Sequence, residues 1–533
     1  MAAGAAHAAD HTVKAAWVTI PLDSLGVPAM PSEFLSHEMS MLTVDFVDDS
    51  HLLVTFSTRG LIPRLPGDPP DDDDRMVAAE LVELPSAHVV ARKEWHFHDH
   101  AQYLWRLGEG RFLVRTRNTL FAITPRALEN SADPLVPISF PQREGRPVMA
   151  MLSPDASLVM VETLLPKAME AAQGRVEMAD VGDDEVDAAN AAPKVAIDFY
   201  RLSGGEEPAE GLTVTDAGMY RSPELVVLPM DHDGYLWAGD PKRDQWPLSF
   251  SGYGGEEKTV GTVDSSCAPR MQMVSGFEYV AFACQGTADR VKLEAFGMDG
   301  HEMWEEGFGA MFGPPSFAYA PSAGRFAMSR ISSALGEGAE WTTIPDDASQ
   351  EVRVYQTESG DLLLRAPCSP VIGTAENFDL SEDGRLAVVV NGGSIQVYQL
   401  PAPSAQDRKD LKLAASFAPP KADGPVKLTR LLKSAAAAAK DEAAAAAGTQ
   451  GAAAGSGAAA VQGAGAPVAG AASGGSGAAA GSTVGSAGAV GNAPAQAKGS
   501  DKAAAGEAAR KPPSLLEPGE SPEFKGAAGS QPQ

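Results

Sequence analysis

The chain has 533 residues, with 42 basic and 70 acidic side chains and a formal net charge of −28. A field of that sign repels phosphate backbones and anionic lipid, which argues against nucleic acid as a partner. No run approaches the ~20 consecutive apolar residues of a membrane helix, so no transmembrane segment is expected.

Residues 1–16, MAAGAAHAADHTVKAA, have neither the basic start nor the apolar stretch of an export signal and are expected to be a flexible N-terminus. An Ala-rich opening also suits the remnant of a cleavage region. The compartment is therefore open between the cytoplasm and, for a chain whose leader is missing from this sequence, the periplasm or exterior. Trp17 begins a short strand, Trp17-Val18-Thr19-Ile20-Pro21-Leu22, with no repeat of its own.

From Leu42 onward one theme recurs. An apolar strand runs into a tight polar turn, emerges as a second apolar strand, and is followed by further strands with alternating side chains. The copies centre on Leu42 to Phe56, Tyr103 to Arg115, Ala150 to Val161, Leu225 to Trp237, Met271 to Ala283, Phe317 to Met328 and Asn377 to Val389. The last is the clearest, because Ser381-Glu382-Asp383-Gly384 supplies the Asp-Gly pair that a turn with positive φ favours. Uninterrupted copies lie about 43–47 residues apart and hold four strands each, the period of propeller blades. Polar insertions at Gly67 to Arg75, Lys167 to Pro193 and Ser332 to Gln350 account for the longer gaps. The seventh copy has only three strands before Pro401, so the spare N-terminal strand is expected to complete it and close the ring. Closure hides both free sheet edges.

Strands entering Ser-Pro-Asp or Ser-Glu-Asp-Gly-Arg-Leu-Ala-Val-Val, then Val-x-Val-Tyr, resemble the WD40-like and YVTN-type repeats of bacterial propeller proteins. The resemblance covers Trp17 to Leu400. No Trp-Asp dipeptide closes a blade, and Gly-His occurs only at Gly300-His301, so the hydrogen-bond tetrad of WD repeats does not carry over. The resemblance implies a scaffold that hosts many functions.

Four features bear on chemistry. His96, His98 and His100 alternate in Trp95-His96-Phe97-His98-Asp99-His100, so an extended segment would place them on one face where they could ligate a transition metal; a hydrogen-bonding junction explains the same residues. Asp231-His232-Asp233-Gly234 offers two carboxylates around a Gly turn, as a calcium loop would, but the bidentate Glu of the EF-hand pattern is absent and a plain hairpin explains the same residues. Cys267 and Cys284 flank a predicted hairpin at equal distances from its turn, so a disulfide is geometrically open, with two free thiols as the alternative and Cys368 unpaired in both. The acidic insertion Asp68 to Asp74 reads as a solvated loop that could also meet a basic partner or cation. No phosphate loop, nucleophile elbow or zinc-protease motif occurs, and no cofactor is implied.

Residues 401–433 read as a linker, partly helical, with helix favoured only around Leu428 to Ala447. Residues 434–533 are dominated by Ala, Gly and Ser and lack the bulky apolar groups that repay ordering, so a disordered tail is expected. The sequence thus predicts an all-β, single seven-bladed propeller over residues 17–400. Its expected role is as a monomeric, non-catalytic binding or scaffold protein that meets a protein or small ligand at a rim. The alternative is an enzyme or metal-binding protein using the funnel and the His96/His98/His100 cluster.

Overall fold

A computed structural model describes residues 12–13, 15–28, 42–58, 75–97, 102–116, 119–129, 136–137, 145–165, 194–204, 212–223, 225–309, 311, 313–332 and 348–428. The repeats fold as seven small antiparallel sheets, which form the blades of a propeller. In chain order, blade 1 begins with strand Thr43–Asp48, blade 2 with Leu104–Gly108, blade 3 with Arg146–Leu152, blade 4 with Gly234–Ala238, blade 5 with Arg270–Ser275, blade 6 with Phe317–Ala320 and blade 7 with Phe378–Leu380.

The spare strand Val18–Pro21 pairs antiparallel with Ser394–Gln399 and is the outermost strand of blade 7. Ile20 meets Ile395 across that ladder and is fully buried, while the Trp17 amide donates to the Val397 carbonyl at 2.7 Å. Ring closure is visible in the core, because each apolar cluster joins two consecutive blades. Leu52 and Phe56 of blade 1 pack with Val388 and Val397 of blade 7, Val77 of blade 1 with Phe112 of blade 2, and Leu113 of blade 2 with Val159 of blade 3. Similar clusters join blades 3 to 4, 4 to 5, 5 to 6 and 6 to 7.

The turns follow the chemistry of their sequence. In blade 7 the Ser381 hydroxyl donates to Asp383 at 2.8 Å and accepts the Leu386 amide at 2.8 Å, with Gly384 at φ 67°. Blade 3 repeats this with Ser153, Asp155 and Leu158, but Ala156 takes the left-handed position at φ 54°.

One expectation is corrected. Among the described residues blade 4 has three strands, not four, because the predicted opening strand at Leu225 does not form a ladder. Pro223 and Pro229 lack amide hydrogens, the Val226 amide is taken by the Glu162 carboxylate at 2.8 Å, and only Met230 bridges to Tyr235. The α-helix of the described residues, Ala405–Ala415, lies within the linker expected to be partly helical and starts on a capping box formed by Ser404 and Asp407, whereas the stretch Leu428 to Ala447 lies, past Leu428, outside the described residues. The chain then crosses back over the propeller and buries Val426 and Leu428 against blades 3 and 4. Residues 429–533 lie outside the described residues, as do the insertions at 67–74 and 167–193 and most of that at 332–350.

Candidate functional site

The opening strands of blades 1, 2, 6 and 7 converge on the central channel, and the polar residues there come from positions that interrupt apolar strands. Arg106 of blade 2 reaches across to blades 6 and 7. Its guanidinium donates to the Tyr319 carbonyl at 3.0 Å, to the Leu380 carbonyl at 2.6 Å and to the Asp379 carboxylate at 3.2 Å. Asp379 is buried and also accepts the Phe46 amide at 2.8 Å, which ties in blade 1. One arginine thus links four blades.

Asp45, two residues beyond Thr43 on the same strand, and Glu376, just before blade 7, complete the cluster. Burial and then the neighbouring Asp379 push the Asp45 carboxyl well above the usual range, with Arg106 opposing. Burial likewise raises Asp379, against the pull of Arg106 and of the backbone amides of Phe46 and Leu380. Two carboxyl groups, Asp45 and Asp379, therefore share one guanidinium in a poorly solvated space, with Glu376 adding negative field at Asp45, and a further cation there would favour their ionised forms.

Arg106 lines two cavities. A channel cavity of about 520 Å³ is walled by Asp45, Asp379 and Glu376 with Trp105, Phe317 and Tyr319. A rim cavity of about 550 Å³ is walled by the turn residues Asp48, Asp49, Glu109, Glu382 and Asp383. The two share Arg106, Ser322 and Glu382, so Arg106 stands between the rim and the channel. The rim carboxylates are partly matched: Arg126 pairs with Asp48 at 2.9 Å, and Arg385 pairs with Asp383 and lies 3.6 Å from Asp49.

Sequence reasoning missed Asp45, Arg106, Glu376 and Asp379. The available signal was a single charge inside an otherwise apolar opening strand, as in Val44-Asp45-Phe46 and Trp105-Arg106-Leu107. Of the residues it did name, His96 lies on the fourth strand of blade 1, His88–Phe97, opposite Met76, while His98 and His100 lie outside the described residues. Among the described residues no three His, Cys, Asp or Glu side chains come together to hold a metal ion. The Asp231–Gly234 segment is a turn closed by the Asp231 amide on the Gly234 carbonyl at 2.8 Å, and Asp233 spends a carboxylate oxygen on the Ala422 amide at 2.7 Å. Cys267 and Cys284 are joined by a disulfide with Cα atoms 5.6 Å apart. Cys368 is a buried free thiol whose pKa burial pushes up.

No family model matches the chain, and no curated protein matches it. Solved structures do. A chain of a mitotic checkpoint complex is 8% identical, with 75% of this chain and 96% of that chain covered and a TM-score of 0.36. An uncharacterized protein from Listeria monocytogenes EGD-e is 7% identical, with 68% and 95% covered and a TM-score of 0.34. A putative TolB from Agrobacterium tumefaciens is 13% identical, with 59% and 95% covered and a TM-score of 0.29. Similarity at this level assigns neither family nor function.

Proposed function

We propose that this propeller is a binding protein that takes a positively charged group, from a protein or a small ligand, at the rim of blades 7, 1 and 2 and into the channel behind it. The observation that carries the reading is the imbalance at Arg106, where the buried carboxyls of Asp45 and Asp379 act on a single guanidinium beside an aromatic-walled cavity that Glu376 also lines. Amine or guanidinium entry supplies the missing charge, and the aromatic walls suit the alkyl part of a basic side chain. The net charge of −28 steers such a ligand inward at low ionic strength. The Cys267–Cys284 bond supports an oxidising compartment, since both thiols would stay reduced in a glutathione-rich cytosol.

The test is a peptide-array and polyamine screen followed by calorimetric titration of the best binder. Basic ligands should be selected, and Asp45→Asn combined with Asp379→Asn should weaken binding roughly tenfold or more, as for loss of a desolvated charge partner. Asp361→Asn, on an outer turn of blade 6, should leave binding unchanged. Selection of neutral or acidic ligands, or binding indifferent to the double substitution, would overturn the reading.

A further inference from the structure

The outermost strand of blade 3, Leu212–Ser222, carries an irregularity that leaves one residue out of the ladder. Phe199 faces Gly218 and Tyr200 faces Asp216, so Ala217 is left over as a bulge. Gly218 holds the bulge at φ 131°, a conformation that favours glycine, and its amide donates to Asp216 at 2.9 Å. The bulge turns the Ala217 carbonyl to the Val426 amide, which donates to it at 2.7 Å.

The segment Ala422–Leu428 is gripped at every second residue. The Ala422 amide donates to Asp233, Arg201 donates to the Gly424 carbonyl at 3.3 Å, and the Leu428 amide donates to the Tyr220 hydroxyl at 3.3 Å. That hydroxyl in turn donates to the Val426 carbonyl. Val426 and Leu428 are buried among Leu158, Met160, Ala217 and Tyr253, whereas Asp423 and Lys427 face solvent. Backbone bonds to an exposed sheet edge, with alternate side chains in pockets, are the way folded domains read extended peptides.

The segment is also separable from the fold. Blade 3 has its four strands without it. The preceding helix Ala405–Ala415 buries none of its residues, and Leu413 and Phe417 stay exposed. Between Pro401, whose carbonyl Arg325 holds at 2.7 Å, and Ala422 no residue is buried.

We propose that the outer edge of blade 3 is a recognition groove for an extended peptide of a partner protein with two aliphatic side chains two residues apart, and that Ala422–Leu428 fills it in cis until such a peptide displaces it. The partner chemistry is read from the built-in occupant: a flexible Gly-Pro lead, then aliphatic, any residue, aliphatic.

The experiment uses the full chain carrying Val426→Asp and Leu428→Asp, which empties the groove, and a fluorescent peptide of the natural sequence Lys421 to Arg430. The variant should bind the peptide roughly tenfold or more tightly than the wild type, whose groove is occupied. A peptide with the same two substitutions should not bind. A natively folded variant that binds neither peptide overturns the proposal. Should the variant misfold, hydrogen exchange on the wild type decides: the Val426 and Leu428 amides should exchange roughly tenfold or more faster than the Ile197 amide in blade 3. Exchange of all three at one rate would make the segment an integral strand and overturn the proposal.

Discussion

At the scale of single residues, the turn of blade 3 departs from its own repeat. Ala156 sits at φ 54° where blade 7 has Gly384 at φ 67°. The left-handed conformation costs an L-residue about 1–2 kcal/mol, and the greater freedom of glycine in the unfolded chain returns up to about 1 kcal/mol of that. Ala156→Gly should therefore raise stability by about 0.5–1 kcal/mol, seen as a higher urea midpoint at an unchanged slope. A lower midpoint would show that the turn is held in place by contacts the sequence repeat does not share.

A second residue-scale consequence concerns buried carboxyls. Burial, and then the facing Glu358, push Glu278 up to about 8 against a 2.9 Å bond from the Ser275 hydroxyl. Burial pushes Glu358 up to about 7, with Gln356 and its own amide opposing and Asp407 and Asp410 adding to the rise. Burial and then Asp155 push Asp231 up to about 7. All three hold their protons more tightly folded than unfolded, so each contributes stability that is full below the ordinary carboxyl pKa and is lost as pH rises through the folded value. The protein should thus lose stability between about pH 5 and 8, the reverse of a carboxylate held by salt bridges. Glu278→Gln removes one of these titrations and should flatten the slope, leaving the variant more stable than wild type near about pH 8.5. Parallel pH profiles for the two proteins would refute the assignment.

At the scale of elements, legibility tracked how local the determining interactions are. Six of the seven opening hairpins could be read directly, because a period-two apolar pattern and a turn residue are both contained in about a dozen residues. Leu225 to Met230 has the apolar pattern but also Pro223 and Pro229, and two missing amides outweigh four apolar side chains when the ladder forms. The helix Ala405–Ala415 has no apolar face to reveal it, and only the Ser404/Asp407 spacing marks its start. The crossing segment that follows looked like a linker because what fixes Val426 is the Ala217 carbonyl, some two hundred residues earlier in the chain. The channel charges were hidden for the same reason. Asp45 and Arg106 each look like a solvent-facing position of a strand, and only the ring brings Asp379 beside them.

At the scale of the whole molecule, the question is whether seven separate sheets behave as one unit, and the apolar clusters answer it. Every cluster spans two blades, so removing one sheet uncovers two interfaces, and opening the ring at any point exposes the faces on both sides of the break. The seam between the first and last parts of the chain has the least sequence-local support, since Val18–Pro21 contributes four residues to a ladder with Ser394–Gln399. Ile20 and Leu22 are both buried there. Ile20→Ala should cost about 2–4 kcal/mol, in line with other large-to-small changes in tight cores. Deleting the chain through Leu22 should do more, because it also leaves the Ser394–Gln399 edge unpaired, and such edges recruit other chains. The expected signs are a lower unfolding midpoint together with light scattering that grows with protein concentration. Truncation after Lys433 is the matched control: it leaves Val426, Leu428 and the rest of the described core intact, so its midpoint should equal that of the full chain. Equal behaviour of the two deletions would mean that the ring is held without its N-terminal strand, and that the cluster joining blades 7 and 1 closes it unaided.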